Sequence, residues 1–204
     1  MEAAADAIKT PSRTEAKDIE SEPVETFEEV VDENHFSFPQ YKAADIPMLS
    51  RKYGSHDLKG MVKAILDVEA PLSEELLLKR IVPCFGREKV TNVVQRMYEE
   101  RMRGYQRYDI VRRDGFLYLD KEIRFRIPGD ITRDIRHIAP EELAAGMREI
   151  LRQNVTADKS GLYRSLAAQC GVARVGKSVN AALDSALRAL EGDVIIDGEL
   201  ISLK

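Results

Sequence analysis

The chain has 204 residues, 44% of them hydrophobic and 32% charged, with a formal net charge of −4. That length allows one domain or two small ones, and the acidic balance excludes a uniformly basic nucleic-acid coat. Two cysteines, Cys84 and Cys170, and three scattered histidines are too few for a disulfide scaffold or a metal cage, so no metal and no cofactor is expected. The aromatic share of 6%, without tryptophan, suits small helical units better than a β-sandwich. There is no apolar run long enough to span a membrane and no apolar signal-peptide core, so a cytoplasmic, membrane-free protein is expected.

Residues 1–35 hold three Lys or Arg against eleven Asp or Glu, a balance of −8, and include Pro11 and Pro23. So few large apolar side chains do not offset the entropy of ordering the chain. The segment reads as a disordered acidic tail with a transient helix at 26–32. It is a solubilising tail, a linker from an upstream domain, or an acidic decoy that competes with nucleic acid for a basic surface. Residues 36–204 carry +4, and within them residues 79–136 hold fifteen basic against nine acidic side chains. The positive charge is therefore concentrated in mid-chain.

After a lead-in at 36–56, one plan occurs twice, at 57–120 and at 140–204, joined by a basic linker at 121–139. Each copy opens with an amphipathic helix, carrying Leu58, Met61, Val62, Ile65 and Leu66 in the first and Leu143, Met147, Ile150 and Leu151 in the second. Pro140-Glu141-Glu142 makes a favourable first turn, with acids against the helix dipole. A second helix follows, started by Ser73 in copy one and Ser160 in copy two. It ends near a Cys and a Gly, at Cys84-Phe85-Gly86 and Cys170-Gly171. The third helix is expected at 89–103 and 177–190. Asp114-Gly115 and Asp197-Gly198, each between β-prone runs, signal closing hairpins. The fold class is mainly α with small β-hairpins. Three helices and a hairpin, twice, read as a tandem winged helix, a helix-turn-helix variant with the third helix as reader and the hairpin as wing.

The stretches Arg124-Phe-Arg-Ile-Pro, Arg133-Asp-Ile-Arg-His-Ile-Ala-Pro-Glu-Glu-Leu and Cys170-Gly-Val-Ala-Arg-Val-Gly, with Phe38-Pro-Gln-Tyr, Glu69-Ala-Pro-Leu and Leu76-Leu-Leu-Lys-Arg-Ile, carry a resemblance. Over about residues 38–204 the chain resembles the domain of unknown function 3320 family, which ends large bacterial proteins similar to superfamily 1 helicases, often with a nuclease-like domain nearby. The resemblance implies a helicase or nuclease protein as partner. The family brings no established catalytic residues to carry over, and this chain is without the helicase and nuclease segments of its usual context.

Residues 171–178 satisfy the pattern G-x-x-x-x-G-K-S. A working phosphate loop needs a buried strand before it, and the residues before Gly171 read as helix, so the segment is expected to be an inter-helix turn. The acidic pairs Glu74-Glu75, Glu99-Glu100 and Glu141-Glu142 read as solvated faces or dipole partners. His137 sits in the linker with no nearby Ser or Cys nucleophile, and the two cysteines look like matching core positions of the repeat. No enzyme activity is expected.

The basic set is the most informative. Arg87, Lys89, Arg96, Arg101, Arg103 and Arg107 fall on or around the third helix of the first copy, and Arg112-Arg113 on its wing. Such side chains neutralise phosphates, which makes DNA, bound with weak sequence preference, the expected partner. The second copy is poorer, with Arg174, Lys177 and Arg188, although Asn180 is suited to a base edge; its alanine-rich helix suggests close packing. The alternative function is a protein-docking module without nucleic-acid binding.

Overall fold

The computed structural model describes residues 38–54 and 56–204; the expected acidic tail lies outside the described residues. The chain is mainly helical with small antiparallel sheets. In the first half, α1 (Ile46–Tyr53) and α2 (Leu58–Glu69) lead into β1 (Leu72–Ser73), α3 (Glu74–Ile81), α4 (Asn92–Met102), β2 (Val111–Arg113) and β3 (Phe116–Tyr118). In the second, α5 (Pro140–Asn154) is followed by β4 (Thr156–Asp158), α6 (Lys159–Gln169), α7 (Lys177–Ala189), β5 (Val194–Asp197) and β6 (Leu200–Leu203). The same order of helix, strand, helix, helix and hairpin therefore occurs twice.

Local chemistry sets the boundaries. The carboxylates of Asp45 and Asp57 accept the backbone N–H of Met48 and Gly60 at 2.9 and 2.8 Å, starting α1 and α2. Ser73 caps α3 as expected. In the second half Asp158, not Ser160, is the cap, accepting from Gly161 at 2.8 Å. The third helix of the first half begins at Asn92 rather than at 89, because Thr91 is its cap and accepts from Val94.

The sheets are also larger than two-stranded hairpins. β1 pairs with β3, and β4 with β6, giving orders β1-β3-β2 and β4-β6-β5. Asp114 and Gly115 both take positive φ, 48° and 78°, as a primed hairpin turn requires. The second turn is Gly198-Glu199, one residue later than expected, since Asp197 pairs with Leu200.

Each half has its own core. Val62, Ile65, Leu66, Leu77 and Ile81 are fully enclosed in the first, and Leu143, Met147, Leu162, Leu166 and Leu183 in the second. Burying such a side chain contributes about 1.5–3 kcal/mol. Residues 121–139 supply Phe125, Ile135 and Ile138 to the second core. Residues 39–41 run back beside 127, where Tyr41 N–H donates to the Ile127 carbonyl at 2.9 Å.

The two halves keep a common register. The caps Ser73 and Asp158, the left-handed glycines Gly86 and Gly171 (φ 65° and 74°), and the caps Thr91 and Gly176 are each 85 residues apart. This register sets Cys170 opposite Phe85, so the two cysteines do not match as the sequence suggested. Cys170 is buried and Cys84 only partly so, and both are free thiols.

Candidate nucleic-acid interface

α4 turns Val94, Tyr98 and Met102 into the core and leaves Asn92, Gln95 and Arg96 exposed. Arg87 and Lys89 lie exposed in the loop before it. Arg103 follows its last turn, and Arg107 sits in the 3₁₀ turn Tyr105–Tyr108. Among the described residues, no ion pair engages Arg87, Lys89, Arg96, Arg103 or Arg107. The three other expected contacts are differently placed. Arg101 is half-buried, with its guanidinium 5.1 Å from the Phe85 ring centre. Arg112 is held by two carboxylates, Nε to Glu74 at 2.8 Å and both Nη atoms to Glu99 at 2.7 and 3.0 Å. Arg113 pairs with Glu141 and lies 4.7 Å over the Tyr118 ring, whose hydroxyl donates to Glu141 at 2.7 Å. The hairpin arginines are thus tied to the protein itself.

Between α3, α4 and the hairpin is an open cleft of about 530 Å³, edged by Glu74, Glu99 and Arg112. At its base the fold brings together what the sequence separates. The Ser73 hydroxyl shares a 3.0 Å hydrogen bond with Nδ1 of His137, and Nε2 of that ring lies 4.0 Å from Glu75. His137 therefore does have a serine beside it, contrary to expectation. That serine is 3% exposed, and its oxygen also accepts the Leu76 N–H that caps α3. Burial pushes the His137 pKa below its ordinary value, so the neutral ring props residues 134–138 against α3.

No protein-family model, curated protein or solved structure matches the chain.

A second set of side chains lies beneath the surface. Glu142 is fully buried and receives two guanidinium groups. Arg133 donates to it at 2.6 and 2.9 Å, and Arg126 at 2.8 and 3.0 Å. Both guanidinium groups stack on Tyr41, at 4.0 and 5.1 Å from its ring centre. The Tyr41 hydroxyl in turn donates to Glu69, also fully buried and paired with Arg80. Burial and the Glu69 charge raise the Tyr41 pKa, so the phenol keeps its proton. Arg126 further donates to the Pro71 carbonyl at 3.2 Å, linking the second half to the first. Beside this network, burial pushes the Cys170 thiol up to about 12, so it is no ready nucleophile.

From sequence, Glu142 reads only as a dipole partner, and nothing singles out Tyr41, Glu69, Arg80, Arg126 and Arg133 as a set. One signal is present: Glu69 continues an apolar stripe at helical spacing, with Val62, Ile65 and Leu66. An acid on such a stripe implies a buried cation opposite.

Residues 171–178 run from the turn after α6 into the first residues of α7, with helix and not strand before them. Among the described residues, no cluster of three or more His, Cys, Asp or Glu side chains is placed to hold a metal ion, and no helix is long and apolar enough to cross a membrane.

Proposed function

We propose that the chain is a non-catalytic tandem winged-helix module that binds nucleic acid, chiefly DNA, through the third helix of its first half. The observation that carries this reading is the group of five exposed cations around α4 that, among the described residues, have no ion-pair partner: Arg87, Lys89, Arg96, Arg103 and Arg107. Loose cations near a projecting helix attract a phosphate backbone and release its counterions. Asn92 and Gln95 on the same exposed face are side chains suited to adenine edges. Arg112 and Arg113 are left out of the proposed interface, because a phosphate would have to displace Glu74, Glu99 and Glu141. The resemblance adds the wider role of an accessory to a helicase or nuclease-type system.

The test is fluorescence anisotropy with labelled duplex DNA at several salt concentrations, using the full chain. Replacing Lys89, Arg96 and Arg103 with alanine is expected to weaken binding at least about tenfold and to flatten the salt slope by about 0.9 for each phosphate no longer neutralised. An unchanged slope would remove α4 from the interface.

The docking alternative has one observation in its favour. Ile195, Ile196 and Leu200 on the second hairpin are each about half exposed, at 52, 53 and 52%. An apolar surface without a role in DNA binding fits a protein partner. That reading takes over if neither duplex nor single-stranded nucleic acid binds.

A further inference from the structure

Buried positions of a repeat match because both copies must fill a core; exposed positions are under no such demand. In the 85-residue register of the two halves, several exposed or half-exposed charges and amides nonetheless match in type. Lys89 corresponds to Arg174, each in the loop just before the third helix. Gln95 and Glu99 on that helix, and Arg103 at its C-terminal cap, correspond to Asn180, Asp184 and Arg188. Residues four apart share one face of a helix, so each half carries an amide and an acid in one stripe, headed by a base from the loop and followed by a base at or near the helix end.

The acid of each stripe is used within its own half. Glu99 holds Arg112, and Asp184 accepts the Tyr163 hydroxyl at 2.7 Å and pairs with Lys159 at 2.9 Å. The amide and the bases are not so used. Among the described residues, the side chains of Gln95 and Asn180 make no hydrogen bond, and Arg174 has no ion pair. Among the described residues Arg188 has no ion pair, and it donates to the Ser185 hydroxyl at 2.8 Å. Packing does not account for the recurrence of these exposed groups, whereas a common ligand does.

We infer that the second half bears a second nucleic-acid contact surface of the same chemistry, with Arg174 and Arg188 on phosphates and Asn180 at a base edge. The inference rests on the reading given above for the first half. The second surface is the weaker of the two, because Ala181 stands where the first half has Arg96.

The experiment uses the full chain carrying Lys89→Ala, Arg96→Ala and Arg103→Ala, which leaves the first surface Arg87 and Arg107 of its five cations. Residual binding of duplex DNA should remain salt-dependent, with a slope of about 3.6 from those two together with Arg174 and Arg188. Adding Arg174→Ala and Arg188→Ala should lower the slope by about 1.8, whereas adding Arg174→Lys and Arg188→Lys should leave it in place. All five positions are exposed, and unchanged far-UV circular dichroism would show that the fold is intact. The inference is overturned if the triple variant shows no salt-dependent binding, or if the two further alanines change nothing. If the unaltered chain binds no nucleic acid, both this inference and the reading beneath it fail. If the triple variant binds as tightly as the unaltered chain, only the first surface is disproved.

Discussion

A charge has a different meaning at each depth of this molecule. On the surface Arg96 is free to meet a phosphate. Half-covered Arg112 is spent on Glu74 and Glu99, and buried Arg133 is bound to Glu142. Removing the carboxylate in the last case leaves two guanidinium groups without a counterion in a dry site. Glu142→Gln is therefore expected to cost about 3–5 kcal/mol, read from the urea midpoint; a cost near zero would mean that water reaches the network. His137 gives a pH signature. Its folded pKa lies below the ordinary 6.5, with burial as the main cause, Lys79 and Arg136 adding to it, and Glu75 and Asp134 opposing. The unfolded chain thus binds a proton more readily. The stability contributed by the neutral ring is present above pH 6.5 and is lost as pH falls through the folded value. His137→Gln should flatten that part of the stability–pH curve, and an unaltered curve would exclude the ring as its source.

At the scale of elements, the helices were legible because their signals are local. The stripes at 58–66 and 143–151 and the cap at Ser73 are read from neighbours three and four residues away. What stayed hidden depends on distant partners. β1 is two residues long, too short for an alternating pattern, and exists because Leu72 and Ser73 pair with Leu117 and Phe116. Likewise, nothing local to Glu142 announces Arg126, sixteen residues earlier, as its partner. The candidate cations were all visible in the sequence; their division into free and committed was not, since Glu74 and Arg112 meet only in the folded chain.

Two groups of substitutions probe this scale. A Cβ at Gly146 on α5 would lie 2.7 Å from the Leu166 side chain and 2.8 Å from the Phe125 ring, in the middle of the second core. Gly146→Ala should therefore destabilise by about 1–3 kcal/mol in denaturant titration, despite alanine's better helix propensity. Asp158→Ala should cost about 1 kcal/mol, since it removes a cap. Ser73→Ala should cost more than its counterpart, because it also removes the bond to His137. Equal costs would show that the serine–histidine contact contributes nothing.

At the scale of the whole molecule, two similar halves are joined by a buried network that reaches from Arg80 through Glu69 and Tyr41 to Glu142. The loose cations of the first half lie on α4 and in the segments flanking it, and the buried cations serve the junction. The central claim is that those loose cations bind a phosphate backbone. Its most direct test is an anisotropy titration of the full chain with duplex DNA over a series of salt concentrations. The expected result is a dissociation constant that rises steeply with salt, with a log–log slope of at least about 4.5, the share of the five cations around α4. The slope should be flattened in Lys89→Ala/Arg96→Ala/Arg103→Ala and little altered in Arg112→Ala/Arg113→Ala. Binding that is absent at low salt, or present but indifferent to salt, would contradict the account.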